Sequence, residues 1–205
     1  MSWIWPDGFT CLQGGGIRLE PLTADHVEGL ANAAADSSDS EWDNGFVPHP
    51  QDMHAYVSRA LSEREAGRSL PFAVCLDSGQ PVGTSWYRVY DTRRKKLEIG
   101  FTWYARSVRR TFVNRQTKLL LMTHAFETLG CILVEFLVHV KNTPSRTAMI
   151  ALGAQQDGFL RRVIPMSDGT FGDVVVFSVA DSEWAPVKQR LVSSLARPPV
   201  FPGHR

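Results

Sequence analysis

The spacing of apolar residues changes period several times along the chain, and each change marks an element. Ile17, Leu19 and Leu22 fit a short strand. Thr23 can then cap a helix whose apolar stripe is Val27, Leu30, Ala31 and Ala34. Met53, Tyr56, Val57, Ala60 and Leu61 mark a second helix that ends near Gly67. Strands are predicted at Phe72–Leu76 and Val82–Tyr90, and they flank a hairpin signal, Asp77-Ser78-Gly79-Gln80-Pro81. After a charged turn at 91–96, Leu97–Tyr104 is a third strand, rich in aromatic and β-branched residues. Residues 114–129 predict a long helix with Leu119, Leu120, Met122, Ala125, Phe126 and Leu129 apolar, stopped by Gly130. Leu133–Val140 is nearly continuously apolar, as a central strand would be. Thr143-Pro144 opens another helix that Gly153 closes. Residues 155–164 and 171–179 are strands around the turn Ser167-Asp168-Gly169-Thr170, and Pro186, Val187, Leu191 and Leu195 give a final helix.

The order βααβββαβαββα predicts an α+β fold. The strand–helix–strand passage from 97 to 140 implies one parallel pair inside a mostly antiparallel sheet. Residues 1–16 read as an irregular segment, 17–196 as one domain and 197–205 as a loose Pro-rich tail. The loop 36–50 carries Trp42, Phe46 and Val47, unusual in a plain linker, and is expected to fold over a site. Glu41, Asp43 and Asp52 in or near it read either as a lure for a cationic amine or as a solvated acidic surface.

Composition narrows the function classes. A formal charge of +1 lacks the basic excess of a nucleic-acid binder. No run approaches a membrane span and the N-terminus has no basic leader, so a cytoplasmic protein is expected. Cys11, Cys75 and Cys131 show no zinc spacing, and Cys75, inside Phe72–Leu76, reads as a packed small hydrophobe. The histidines form no HExxH pair, so no metal is expected.

The chemistry concentrates between 97 and 115. A strand runs into Ala105-Arg106-Ser107-Val108-Arg109-Arg110-Thr111-Phe112-Val113-Asn114, and a helix follows. That order gathers backbone N–H groups and the positive end of a helix at one point, which suits phosphate. Arg106, Arg109, Arg110 and Arg115 surround it, either as phosphate ligands or as solvated charges.

Several motifs recur in a shared order. Asn142-Thr143-Pro144-Ser145-Arg146 is followed by Ala151-Leu152-Gly153-Ala154, then by Gln156-Asp157-Gly158-Phe159-Leu160-Arg161. Asp168-Gly169-Thr170 and Phe171-Gly172-Asp173 come next. With Leu97–Leu129, these resemble the GNAT superfamily, close to its RimJ/RimL-like branch, and the likeness runs from about Leu12 to Leu191. The resemblance implies a central splayed pair of parallel strands, here 97–104 and 133–140, holding acetyl-CoA or another acyl-CoA. Thr102, Trp103 and Tyr104 would pair their backbone with the pantetheine arm. The family's Q/R-x-x-G-x-G/A loop maps Arg109 onto its first position, then Arg110 and Thr111, Phe112 in place of the first Gly, Val113, and Asn114 in place of the second. Asn tolerates left-handed geometry better than Phe does.

By the same resemblance, a neutral amine attacks the thioester directly. Glu98 is the base candidate, working through water, or else a solvent-facing strand carboxylate or a structural partner of an Arg or Lys. Ser145 would donate to the leaving thiolate and Asn142 would position the coenzyme arm; plain helix capping is the other reading of both. His139 is an outside candidate for the base, or a packed strand histidine. The acceptor is a small-molecule amine or a protein N-terminus. Two other readings stay open: a catalytically weak module that binds coenzyme A or a peptide, and a homodimeric scaffold with aromatic loops as its interface.

Overall fold

A computed structural model describes residues 11–38, 47–166 and 169–196. The expectations at Glu41, Trp42, Asp43, Phe46, Ser167 and Asp168, and those for the two chain ends, lie outside the described residues. The described chain runs β1 (Leu12–Gly14), β2 (Ile17–Pro21), α1 (Val27–Ala35), α2 (Met53–Glu65), β3 (Ser69–Leu76), β4 (Pro81–Asp91) and β5 (Lys96–Tyr104). It continues through α3 (Val113–Thr123), β6 (Leu133–His139), α4 (Thr143–Leu152), β7 (Gln155–Pro165), β8 (Phe171–Ala180) and α5 (Asp181–Leu195). The strands form one sheet in the order β1-β2-β3-β4-β5-β6-β8-β7. Every pairing is antiparallel except β5 with β6. The fold is therefore α+β, with the parallel pair adjacent and central. Among the described residues no helix is long and apolar enough to cross a membrane.

Three local features depart from the sequence reading. The segment read as irregular up to residue 16 holds β1, which turns back at Gly15 and Gly16, both left-handed (φ +57° and +88°), to pair with β2. The stripe of α1 buries Ala33 rather than Ala31. The long helix is α-helical only to Thr123, and a π turn follows over His124–Thr128. Leu129 N–H reaches back five residues to the His124 carbonyl there, and one turn earlier the buried Tyr87 hydroxyl of β4 donates to the Leu121 carbonyl at 2.6 Å.

Strand alternation places Trp86 and Trp103 against α1 and α2, while Tyr87, Leu97 and Ile99 face α3 and α5. The two cores thus lie on opposite faces of one sheet.

β5 and β6 pair through only three rungs, Lys96↔Leu133, Leu97↔Val134 and Glu98↔Glu135. β5 nevertheless runs on to Tyr104 and β6 to His139. Beyond Glu98 the strands part and leave a wedge in the sheet. A bulge on β5 drives the separation: Trp86 faces Gly100 and Thr84 faces Trp103, so Phe101 and Thr102 share the single partner Ser85. Phe101 adopts φ +46°, a rare setting for an aromatic residue. A bulge of this kind bends its strand and raises the local twist, which turns β5 away from its neighbour.

Candidate active site

The bulge is held by a buried relay. Thr84 Oγ1 donates to the Phe101 carbonyl at 3.0 Å, which uses its only proton. Tyr56, from α2, must therefore donate to Thr84 Oγ1 (2.8 Å), and it accepts from Trp103 Nε1 (3.3 Å). The Phe101 ring is half-exposed, lies 4.4 Å from Trp86, and has the guanidiniums of Arg88 and Arg59 within 4.6 and 5.7 Å of its centre.

Glu98 occupies the last rung before the wedge and is 6% exposed. Arg88 Nη1 donates to it at 2.7 Å. Burial pushes its carboxyl above the usual range, Arg88 opposes that shift, and the neighbouring Glu135 adds to it. The structure thus places Glu98 in an ion pair at the wedge, and not on a solvent-facing strand position, because its side chain is buried against Arg88.

The loop 105–112 folds on interactions with the end of α1. Ser107 N–H donates to Asp36 (2.6 Å), holding that carboxyl below the usual range. Arg109 donates from Nε to the Tyr104 carbonyl (2.9 Å) and from Nη2 to Ser37 Oγ (3.0 Å). Its guanidinium ties strand, loop and helix together. The left-handed residue of the loop is Arg110 (φ +60°). Phe112 has an ordinary right-handed backbone (φ −72°) as the N-cap of α3. A glycine is not required at 112, because the turn is made two residues earlier. The Phe112 ring sits against Gly16, where a β-carbon would come within 3.3 Å of it. Phe112→Gly is accordingly expected to leave acetyl-CoA affinity within a few-fold. A large gain in a titration would show instead that the ring obstructs the site.

α3 starts beside the wedge. Thr111 Oγ1 donates to Val108 O and accepts from Val113 N, while the next amides of the helix, at Asn114 and Arg115, have no carbonyl within the helix to reach. Arg115 Nε is buried with no protein hydrogen-bond partner. Further on, Asn142 Oδ1 caps α4 by accepting from Ser145 N at 3.1 Å, and Ser145 lies half-buried in the first turn. His139 is buried, accepts from Lys141 N through Nδ1, and crowds Gly172. Burial and Lys141 lower its basicity.

The model of the Acetyltransferase (GNAT) domain matches residues 17–155, more than half of the chain. The chain belongs to the GNAT acetyltransferase family. A GCN5-related N-acetyltransferase from Brucella melitensis is 28% identical, with 91% of this chain and 86% of that one covered at a TM-score of 0.80. Mycobacterium smegmatis RimJ, solved in complex with CoA-disulfide, is 23% identical, with 95% and 97% covered at 0.74. The microcin C7 self immunity acetyltransferase MccE, solved with acetyl-CoA and AMP, shares the fold at 14% identity, with 82% and 93% covered and a TM-score of 0.68. A search of curated proteins finds no match. The GNAT chain is thus an N-acetyltransferase by family, and its family's reaction is acetyl transfer.

One residue of this GNAT wedge escaped the sequence reading. Lys118 on α3 is 5% exposed. Its Nζ lies 3.4 Å from Thr102 Oγ1 on β5 and 5.0 Å from the Phe136 ring centre on β6. Burial alone pushes its amine down to about 7. The signal was present in the sequence: a lysine at 118 shares a helix face with Leu121, Met122 and Ala125, where an apolar residue belongs.

Away from the wedge, Glu20, His26 and Cys75 bring one potential ligand atom each within 4.8 Å of one another. The ring nitrogens of His26 are already occupied. Nδ1 accepts from Thr23 N at 3.1 Å, which leaves the proton on Nε2, facing Glu20. Cys75 is 1% exposed, and burial first, then Glu20, pushes its thiol up to about 12. This cluster closes a helix start and packs a strand.

Proposed function

We propose that this GNAT protein transfers an acetyl group, or another acyl group, from acyl-coenzyme A to a primary amine of a small molecule or protein N-terminus, by direct attack within a ternary complex. The observation that carries the reading is the wedge between β5 and β6, with the start of α3 beside it. The backbone of Thr102, Trp103 and Tyr104 offers a strand edge to the pantetheine arm. The amides of Asn114 and Arg115, with Arg110 and Arg115 side chains, would take the pyrophosphate. Thr111, Phe112 and Val113 shape that turn, and Arg109 positions it. Glu98, directly or through water, takes the proton of the attacking amine. A carbon–nitrogen bond forms, the carbon–sulfur bond breaks, and the Ser145 hydroxyl hydrogen-bonds the departing thiolate. Asn142 holds the start of α4 that presents Ser145. Phe112, standing where the family has a Gly, is what would favour a binding-only module, and its ordinary backbone supports the enzyme reading instead.

The test is a thiol-release assay with acetyl-CoA and a panel of amines. Arg115→Ala is expected to weaken acetyl-CoA binding about tenfold or more, the value of a charge-assisted hydrogen bond. Thiol release that stays at the no-enzyme rate with every donor and amine would overturn the reading.

A further inference from the structure

We propose that Lys118 is a donor-binding residue, its amine donating to a carbonyl oxygen in the pantetheine–thioester part of the bound acyl-CoA. The inference rests on the acyltransferase reading above and assigns a contact within that site.

An ammonium has three donors. One of them reaches the Thr102 hydroxyl, and only at 3.4 Å, a weak contact. That hydroxyl is already shared with Ser85 Oγ at 2.7 Å. Burial alone lowers its basicity, with no acidic group offsetting it. The acids of the adjoining strands alternate to the other face of the sheet from α3, since Leu97, Ile99, Val134 and Phe136 face it, and they are paired there, Glu98 with Arg88 and Glu135 with Lys96. A buried amine left so poorly partnered burdens the fold.

Its position says what would partner it. Thr102 belongs to the bulged part of β5, and Phe136 follows the last paired residue of β6. An amine that touches both spans the floor of the wedge where the strands have parted. The donors it has to spare meet the space between them. A ligand entering there must bring an acceptor oxygen, and acyl-CoA brings amide carbonyls in its arm and a thioester carbonyl at its end. A site built around such a donor binds a ligand lacking the acceptor much less well.

The experiment titrates acetyl-CoA, coenzyme A and adenosine bisphosphate, which lacks the arm, into wild type and Lys118→Met, with thermal unfolding of both proteins without ligand. Met fills similar volume without a polar group. The variant should bind acetyl-CoA at least ~10-fold more weakly, bind adenosine bisphosphate as wild type does, and unfold at a higher temperature. Equal losses for acetyl-CoA and coenzyme A place the acceptor in the pantetheine amides; a loss confined to acetyl-CoA places it in the thioester. Either pattern supports the assignment. Unchanged acetyl-CoA affinity, equal weakening of all three ligands, or a lower melting temperature would overturn it, the last because the lysine would then be a structural member of the core. A wild type that binds none of the three ligands removes the donor site itself, and the acyltransferase reading with it.

Discussion

Glu98→Gln should lower kcat by roughly 10²–10⁴-fold, the range for loss of a general base, while leaving acetyl-CoA affinity nearly unchanged. Glutamine keeps the shape and can still meet Arg88, but it cannot take a proton. The pH profile provides the sharper signature. Burial raises the carboxyl's affinity for its proton, Arg88 opposes, and Glu135 reinforces. The base is active only when ionised, so activity should rise with pH through a limb above the usual carboxylate range, and that limb should vanish in the variant. Folding linkage has the opposite sign. A carboxyl whose folded pKa is raised contributes stability that is present below its unfolded pKa and lost as pH rises through the folded one. At neutral pH the variant is thus relieved of burying a charge. Arg88, with its side chain 36% exposed, can be rehydrated when its partner changes. Lost activity in a protein that melts no lower than wild type would therefore report chemistry. Unchanged kcat would leave Glu98 as the structural partner of Arg88.

Tyr56→Phe should destabilise the protein by about 1–3 kcal/mol, because it leaves buried polar partners unmet. Trp103 Nε1 loses its acceptor, and Thr84 Oγ1 loses the donor that lets it commit its own proton to the Phe101 carbonyl. The consequence extends beyond stability, since Phe101 holds a left-handed backbone that costs on the order of 1–3 kcal/mol and persists only while its surroundings enforce it. Relaxation of the bulge would close the wedge, so the Michaelis constant for acetyl-CoA should rise as well. Denaturant unfolding of Tyr56→Phe, Thr84→Val and the double variant measures the coupling. Strictly additive effects would show that the two side chains act separately rather than as one relay.

The apolar periods of the sequence determined which segments become strands and helices, and the crossover from 97 to 140 determined that two neighbours run parallel. These are local properties: a residue's face follows from its spacing to the next few apolar positions. The motif around Asn142 and Ser145 was legible for the same reason, being a helix start. Tertiary structure decided the rest, in each case by a contact between residues far apart in the chain. Tyr87, from another element, reached the last α-helical turn of α3 through the Leu121 carbonyl, just before the π turn. Asp36 and Ser37 engaged the loop at Ser107 and Arg109, which made Arg109 a tether. The left-handed position fell at Arg110 and not at Phe112, which stands in place of the family's first Gly. Lys118 occupies a helix face whose spacing called for an apolar residue, and only the parting of β5 and β6 shows where its amine sits. The wedge itself depends on a bulge whose relay joins Tyr56 to Thr84, Phe101 and Trp103. Periodicity carries no record of such a relay, because hydrogen bonds across tens of residues are formed only after the elements have packed.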